Sequence, residues 1–489
     1  MCILATMIFY GFTSFFSWLY RFSWGSIFLN LNICFSLFLF SACSDWLNVE
    51  PKTTVKEEEV FGRELGFKEA LTGAYIKMAA TGLYARNLSF GFLDILGGRY
   101  TQRTDQKDYY TFAPDPSSTA EFYCESIWKD MYNIIANLNN MLSYCDKNKH
   151  VFTTASYYEI IKGEALGLRA FLHFDLLRMY GPIYKDKPTA RRIAYRTEFN
   201  KDAKAMQPSN VVIDSIIADL KKAETLLTGT DPLRFDFPIS TVEENNMTGD
   251  RFLVYRHKRM NLYAVKALLA RVFLYAGNYT EAARYAEEVI ESKQFELSGN
   301  ATDIQRSKEI IFSVYIDKFD QVVDNMMTVT SYTVENDVFN EIFDVANDGT
   351  NDFRVREGVS FENATSGKRM LKYKQENVWP SLQNTVVLIR LSEMYYILAE
   401  CAETPEEASG YLNNVREVRG IDPVNCTAQN VQSEIEEEYR KEFYGEGQVF
   451  FYYKRLGRPT FVNCPLQNMS ENNYMFSWPE NEIVFGYTN

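Results

Sequence analysis

This sequence predicts an all-α fold, a tetratricopeptide-like αα superhelical scaffold with long loops and minor β-hairpins. Three observations predict it. Apolar residues recur at alternating steps of three and four over several long stretches, the period of one helix face. Two later stretches each carry a pair of such faces joined by a short breaker, with small residues spaced as in a helical hairpin repeat. The chain of 489 residues is 46% hydrophobic and 15% aromatic, enough to bury a large core and unlike a disordered tail.

The chain opens on an apolar leader. Met1 to Tyr20 is uncharged and reaches the ~20 residues that span a bilayer. After the lone Arg21, Ile27 to Phe40 forms a second apolar run, interrupted by Asn30 and Asn32, and Ser41-Ala42 supplies a small-residue exit. Two adjoining runs separated by one arginine make a poor transmembrane hairpin, so residues 1–42 read as a signal peptide with an over-extended start. Leu39-Phe40-Ser41-Ala42-Cys43 is the pattern at which a lipoprotein signal is cut and the new terminal thiol acylated, with Phe40 bulkier than the usual residue there. Cys43 is therefore the expected lipidation site. Residues 43–60 form a polar tether ending in Glu57-Glu58-Glu59, and 61–489 one helical domain with an N-terminal part, 61–300, and a C-terminal part, 301–489.

The first long stripe is Trp128, Met131, Ile135, Leu138 and Leu142; the second is Ile161, Ala165, Leu168, Leu172 and Leu176. Gly181-Pro182 ends the second, with a residue able to turn left-handed before the breaker. A third helix carries Ile213, Ile216, Ile217, Leu220 and Leu227. Met260 to Ser292 reads as a helical hairpin broken at Gly277-Asn278, with Ala270, Phe273, Ala282 and Val289 inside it and Ala286 where an aromatic is usual. Leu391 to Gly420 repeats the arrangement: Met394, Tyr395, Leu398 and Ala402, a turn at Thr404-Pro405, then Ala408, Leu412, Val415 and Val418. Stacked pairs of this kind build a concave support.

The composition narrows the function. A formal net charge of −13 disfavours nucleic acid, whose phosphates call for clustered Lys and Arg; the basic runs Lys185 to Arg196 and Arg251 to Arg259 are short and read as solvated loops. Beyond Cys43 the cysteines, Cys124, Cys145, Cys401, Cys426 and Cys464, are odd in number and form no CxxC pair, so neither a disulfide framework nor a zinc site is indicated. No metal or cofactor is expected. The only histidines are His150, His173 and His257, with no HExxH, GxSxG, GxxxxGK[ST] or strand-borne GxGxxG, and no constellation argues for an enzyme. Arg169, Arg178, Arg390 and Arg416 interrupt apolar helices, and Glu164, Glu393, Glu400, Glu442 and Glu446 are available to pair with them, because an unpaired buried charge is costly.

Five blocks then point the same way. They are Cys43-Ser44-Asp45-Trp46-Leu47-Asn48-Val49-Glu50-Pro51; Gly163 to Pro182, with Leu168-Arg169-Ala170-Phe171 and Arg178-Met179-Tyr180-Gly181-Pro182; Leu388-Ile389-Arg390-Leu391-Ser392-Glu393-Met394-Tyr395 with Ala399-Glu400 and Asn413-Asn414-Val415-Arg416; Glu438-Tyr439-Arg440-Lys441-Glu442-Phe443 through Lys454-Arg455; and Trp478-Pro479-Glu480-Asn481-Glu482-Ile483. Together they resemble the SusD/RagB family of outer-membrane nutrient-binding lipoproteins over essentially the whole mature length. The resemblance implies a lid anchored in outer-membrane lipid through an acylated Cys43, facing the cell exterior. It would capture an oligosaccharide and deliver it to a SusC-type TonB-dependent transporter, without chemistry.

Sugars are held by rings stacking on pyranose faces while polar groups take the hydroxyls. Two loops in regions where the family often places its ligand site carry such groups. Arg99 to Phe112 holds Arg99, Tyr100, Gln102, Asp105, Tyr109 and Tyr110; Asp317 to Phe353 holds Phe319 and Tyr332. Neither contains a tryptophan, the strongest sugar platform. Two alternatives stay open: a RagB-like lid that captures peptides by backbone contacts, and a helical-repeat scaffold for a protein partner.

Overall fold

The stripes read from the sequence become helices, and the helices stack one on the next. A computed structural model describes residues 57–101, 109, 119–232, 251–328, 332–378 and 382–485. The leader, Cys43 and most of the tether lie outside the described residues, as do Gln102, Asp105 and Tyr110. Up to Val60 the chain is a unit of its own, represented by the one-turn helix α1 (Glu57–Val60), which buries no side chain; Phe61 onward is a second unit. Among the described residues no helix is long and apolar enough to cross a membrane.

In the second unit α2 (Glu64–Met78) leads through the short α3 (Phe92–Leu96) to α4 (Thr119–Cys145), and α2 packs on α4. Next, α5 (Tyr157–Tyr180) packs against α4, and α6 (Ser209–Leu227) against α5, with the small pair β1 (Arg191–Ile193) and β2 (Gln207–Pro208) between α5 and α6 in sequence. The hairpin α7 (Leu262–Tyr275) and α8 (Tyr279–Glu291) follows, and α7 also touches α6. Asn278 caps α8 by accepting from the Glu281 amide, which is why the break falls there.

The remainder interleaves strands with helices: β3 (Ile310–Tyr315), α9 (Phe319–Thr328), β4 (Thr333–Val334), α10 (Asn336–Ile342), α11 (Val345–Asp348), β5 (Phe361–Ala364), β6 (Gly367–Met370) and β7 (Thr385–Arg390). The pair β3 and β7 runs antiparallel with Ser313 opposite Val387, and β4, β6 and β5 form a second small sheet. Then come α12 (Leu391–Cys401), α13 (Pro405–Arg419), α14 (Val431–Glu442), α15 (Gln448–Leu456) and α16 (Glu480–Phe485). Helix α12 packs against α8 as well as α13, so the two hairpins seen in the sequence join into one stack. Thr404 accepts from the Glu407 amide and Glu407 reaches back, a capping box that starts α13 behind Pro405.

The stripes are buried as their spacing requires: Ile161, Ala165, Leu168, Leu172 and Leu176 all lose their solvent. Two local expectations change. Gly181 closes α5 with extended backbone, φ −72° and ψ 172°, because the following Pro182 bars the preceding residue from compact conformations. The run Arg251 to Arg259 is not a solvated loop, since Arg256 within it is fully buried between Glu164 at 2.5 Å and Asp231 at 2.7 Å.

Most of the buried arginines find carboxylates, many on distant elements. Arg169 on α5 takes Asp219 on α6 at 2.7 Å, Arg271 on α7 takes Glu393 on α12 at 2.6 Å, and Arg455 on α15 takes Glu400 at 2.7 Å. Arg178 is satisfied by Asp175 and by Gln448. Glu442 accepts from Arg390, from Arg419 at 2.6 Å and from Arg354 at 3.1 Å, while Glu438 accepts from Arg354 and Arg416. Burial alone would push the Glu442 carboxyl up, but Arg419 and Arg390 hold it well below the usual carboxylate range. These pairs rivet the helical layers together.

Candidate functional site

The two loops singled out in the sequence meet. The Thr101 amide donates to the Thr333 carbonyl at 2.8 Å, and the Glu335 amide donates to Thr101 Oγ1 at 2.8 Å, so the end of the first segment runs alongside β4 of the second. The Tyr100 and Tyr332 rings stand edge to face with centroids 5.2 Å apart. Gly98 makes this turn: its φ is +69°, and a β-carbon there would lie 2.8 Å from the Val462 carbonyl oxygen. Asn463 then pins the segment by donating to the carbonyls of Gly98 and Tyr100.

The expected ligand residues divide by depth. Arg99, Tyr100 and Phe319 lie in the interior. Arg99 donates to the Arg440 carbonyl and its guanidinium covers the Tyr444 ring at 4.8 Å; the Tyr100 hydroxyl donates to the Phe90 carbonyl; Phe319 packs between Phe90 and Tyr373. Rings and guanidinium covered in this way have no face to offer a ligand, which corrects the expectation that these three are exposed platforms. They are the support. Tyr109 and Tyr332 are half-buried and closer to solvent.

Two residues that the sequence reading missed join them. Tyr123, on the first turns of α4, lies 6.3 Å from Tyr109 between centroids, and both rings lean on the buried Phe92. Arg86 and Tyr123 are near enough to Tyr332 to act on its hydroxyl, which burial pushes above the usual phenol range while Arg86 pulls it down. A signal existed: Tyr123 is an aromatic one step off the α4 core stripe of Ala120, Cys124, Ile127 and Trp128. The result is three half-exposed tyrosines beside a guanidinium, held from beneath by packed rings, an arrangement suited to a flat ligand with hydroxyl or carbonyl groups.

His173 and the one carboxylate cluster among the described residues are committed to structure. His173 donates from Nδ1 to the Arg169 carbonyl at 2.8 Å, and its Nε2 accepts from the Arg196 amide at 2.9 Å; burial pushes it down to about 3. Both nitrogens are used, so it has no lone pair for a reacting proton. Asp344, Asp348 and Glu437 gather their oxygens within 4.8 Å, but Asp348 already faces Arg416 and Lys441, and Glu437 faces Lys441. Two cations of the protein thus already serve two of the three carboxylates. The five described cysteines are free thiols.

A stacked-helix support that presents a shallow aromatic cluster and pairs most of its buried acids internally has the make-up of a binding protein. Residues 45–232 match the family model SusD-like, described as "Starch-binding associating with outer membrane", and residues 255–483 match that of the SusD family. SusD-like protein P38 of Formosa agariphila is 23% identical over 530 aligned positions, covering 92% of this chain and 96% of that protein. Among solved structures, a SusD-like carbohydrate binding protein from Bacteroides vulgatus superposes with a TM-score of 0.65 at 16% identity, over 86% of this chain and 96% of that one. A SusD superfamily protein from Bacteroides thetaiotaomicron gives a TM-score of 0.61 at 20% identity, over 84% and 94%. The chain belongs to the SusD/RagB family.

Proposed function

We propose that this protein captures an oligosaccharide at the tyrosine cluster and hands it to a SusC-type TonB-dependent transporter in the outer membrane, without altering it. The lipid on an acylated Cys43 holds it there, facing outward, since two or more acyl chains anchor stably where one is marginal. The observation that carries the reading is the junction of the two segments, where Tyr109, Tyr123 and Tyr332 line up beside Arg86 above a fixed floor. The residues outside the described set, Gln102, Asp105 and Tyr110, belong to the same segment and are proposed to complete the contacts. The starch-binding character of the first matching family, and the carbohydrate binding protein of like fold from Bacteroides vulgatus, favour a sugar over a peptide.

Calorimetric titration with a panel of neutral oligosaccharides and a peptide pool tests this. Tyr332→Ala is expected to weaken sugar binding roughly tenfold, since a ring contact adds ~0.5–1.5 kcal/mol beyond the area it buries. Binding of peptides alone, or sugar binding indifferent to Tyr109 and Tyr332, would overturn it. Metabolic labelling with palmitate, abolished by Cys43→Ala, checks the anchor, and a large β-barrel co-purifying with the lipidated chain checks the partner.

A further inference from the structure

A cavity of about 50 Å³ lies between the end of α14, the β5–β6 hairpin and the segment that leads into β3. Since ~10–15 Å³ of such space holds one water, it has room for a small ion and none for a sugar ring. Five cations line it, Arg306, Arg354, Lys372, Arg390 and Lys441, against one carboxylate among the described residues, Glu442. Apolar side chains, Phe343 and Phe361 among them, close the rest, so a charge inside is poorly screened.

Four of the five cations meet carboxylates. Lys372 pairs with Glu446, and Arg390 with Glu442 and, at 2.9 Å, with Glu446. Arg354 pairs with Glu438 at 2.9 Å and Glu442 at 3.1 Å, and Lys441 with Asp348 and, at 2.5 Å, with Glu437. Arg306 is the exception. It is 5% exposed, and its Nη1 donates to the carbonyls of Asn300 at 3.0 Å and Asp303 at 3.1 Å, while Nε and Nη2 make no hydrogen bond among the described residues. The Asp303 carboxylate is turned away from it, accepting from the Ser298 and Ser307 hydroxyls and the Ser307 amide.

The surroundings add to the imbalance. Burial and the neighbouring Arg419 bring the Arg306 guanidinium down to about 10, against the pull of Glu442, Glu309 and Asp303, so it remains a cation at neutral pH. Arg354 Nη2, on the same wall, is buried and without an aligned hydrogen bond, although Asp352 lies 2.8 Å away. The backbone that presents Arg306 is left-handed, with φ 55° and ψ 55°, a conformation that non-glycine residues hold mainly where a site requires it. A buried cation short of a counter-charge is costly, and buried donors without partners in a native chain call for an ion or a water.

We propose that this cavity is a site for one small monovalent anion of about chloride size, which serves as the counter-ion of Arg306 and accepts from its Nε and Nη2. One uncompensated guanidinium asks for one negative charge. The proposal goes beyond the capture reading and does not depend on it.

The test melts the full-length chain at constant ionic strength in sodium chloride, in sodium bromide and in sodium gluconate, whose anion is too large for the cavity. In wild type the midpoint is expected to be higher by roughly 2–5 °C in the two halides, and in Arg306→Gln to be the same in all three salts. Because removing a buried group can spoil folding, wild-type crystals grown in bromide supply a second reading, an anomalous peak in the cavity within hydrogen-bond reach of Arg306. The proposal is overturned if wild type melts alike in the three salts, if the variant keeps the halide shift, or if density in the cavity carries no anomalous signal and is therefore water. A bromide peak without the shift in solution is binding at crystal concentration only, and overturns it as well.

Discussion

Two regions of this protein use arginine, acid and aromatic side chains in opposite ways. Around Glu442 the charges are turned inward: Arg390 and Arg419 are 2% and 0% exposed, and their guanidiniums face Glu442, Glu446 and Glu309. At the tyrosine cluster, Arg86 and the rings of Tyr109, Tyr123 and Tyr332 are half-open and leave edges toward solvent. The first region joins β7, α13 and α14, and its Arg390 and Arg419 donors are taken up by Glu442, Glu446 and Glu309. The second can recognise a ligand because a framework beneath it fixes the loops. Buried ion pairs add little net stability over apolar packing, yet breaking one is costly, so their chief effect is to punish any other arrangement of the helices.

The sharpest way to break the comparison is Glu442→Gln. It removes the charge that balances Arg390, Arg419 and Arg354 and keeps the volume, and an uncompensated buried pair costs about 3–5 kcal/mol. A urea midpoint that falls steeply is expected; a midpoint near wild type would mean that the network is not the rivet described above. Asp94 sharpens the comparison next, because it bridges the regions, accepting from the Gly445 and Gly447 amides at 2.7 and 2.9 Å just ahead of the turn at Gly98. Burial pushes its carboxyl up to about 7, against the pull of Arg99 and of those amides. The native chain thus keeps a proton that an unfolded aspartate, near ~3.9, has released. Between about pH 4 and 7 the unfolded state binds fewer protons, so stability falls as pH rises through that window, by at most about 4 kcal/mol. Unfolding curves across the window should show the slope in wild type and a flatter one in Asp94→Asn.

What the sequence revealed follows the range of the interactions involved. The stripe of Ile161 to Leu176 and the capped turn at Thr404-Pro405 are local patterns, and both hold in three dimensions. That Arg169 needed a carboxylate was legible; that Asp219 on the next helix supplies it was not, because pairing across helices leaves no mark at fixed spacing. The two ligand segments were legible from their mix of aromatic and polar residues. Their depth was not: Arg99 and Tyr100 are buried by Tyr444 and Asn463, and Phe319 by Tyr373, all of them far along the chain. The burial of Arg256 within Arg251 to Arg259 was hidden for the same reason, since Glu164 and Asp231, both distant in sequence, draw it inward.

The smallest predicted effect on stability is the most telling about the site. Gly367 opens β6 with φ +121°, and a β-carbon there would sit 2.0 Å from the Val334 carbonyl oxygen on β4, the strand that begins one residue after Tyr332. Gly367→Ala must either strain this backbone or push β4 aside, at about 1–3 kcal/mol. The helical stack does not depend on that sheet, so the far-ultraviolet dichroism should stay native. Moving β4 would release the Thr101 amide from the Thr333 carbonyl, so hydrogen exchange at Thr101 should quicken and sugar affinity fall together. Gly358→Ala is the control: its φ of +75° carries backbone strain, but a β-carbon there meets nothing within 4 Å. If both variants exchange and bind alike, strain alone is at work and β4 does not position the tyrosines; if only Gly367→Ala loses protection and binding, the three-stranded sheet is what holds the half-open region in register against the closed one.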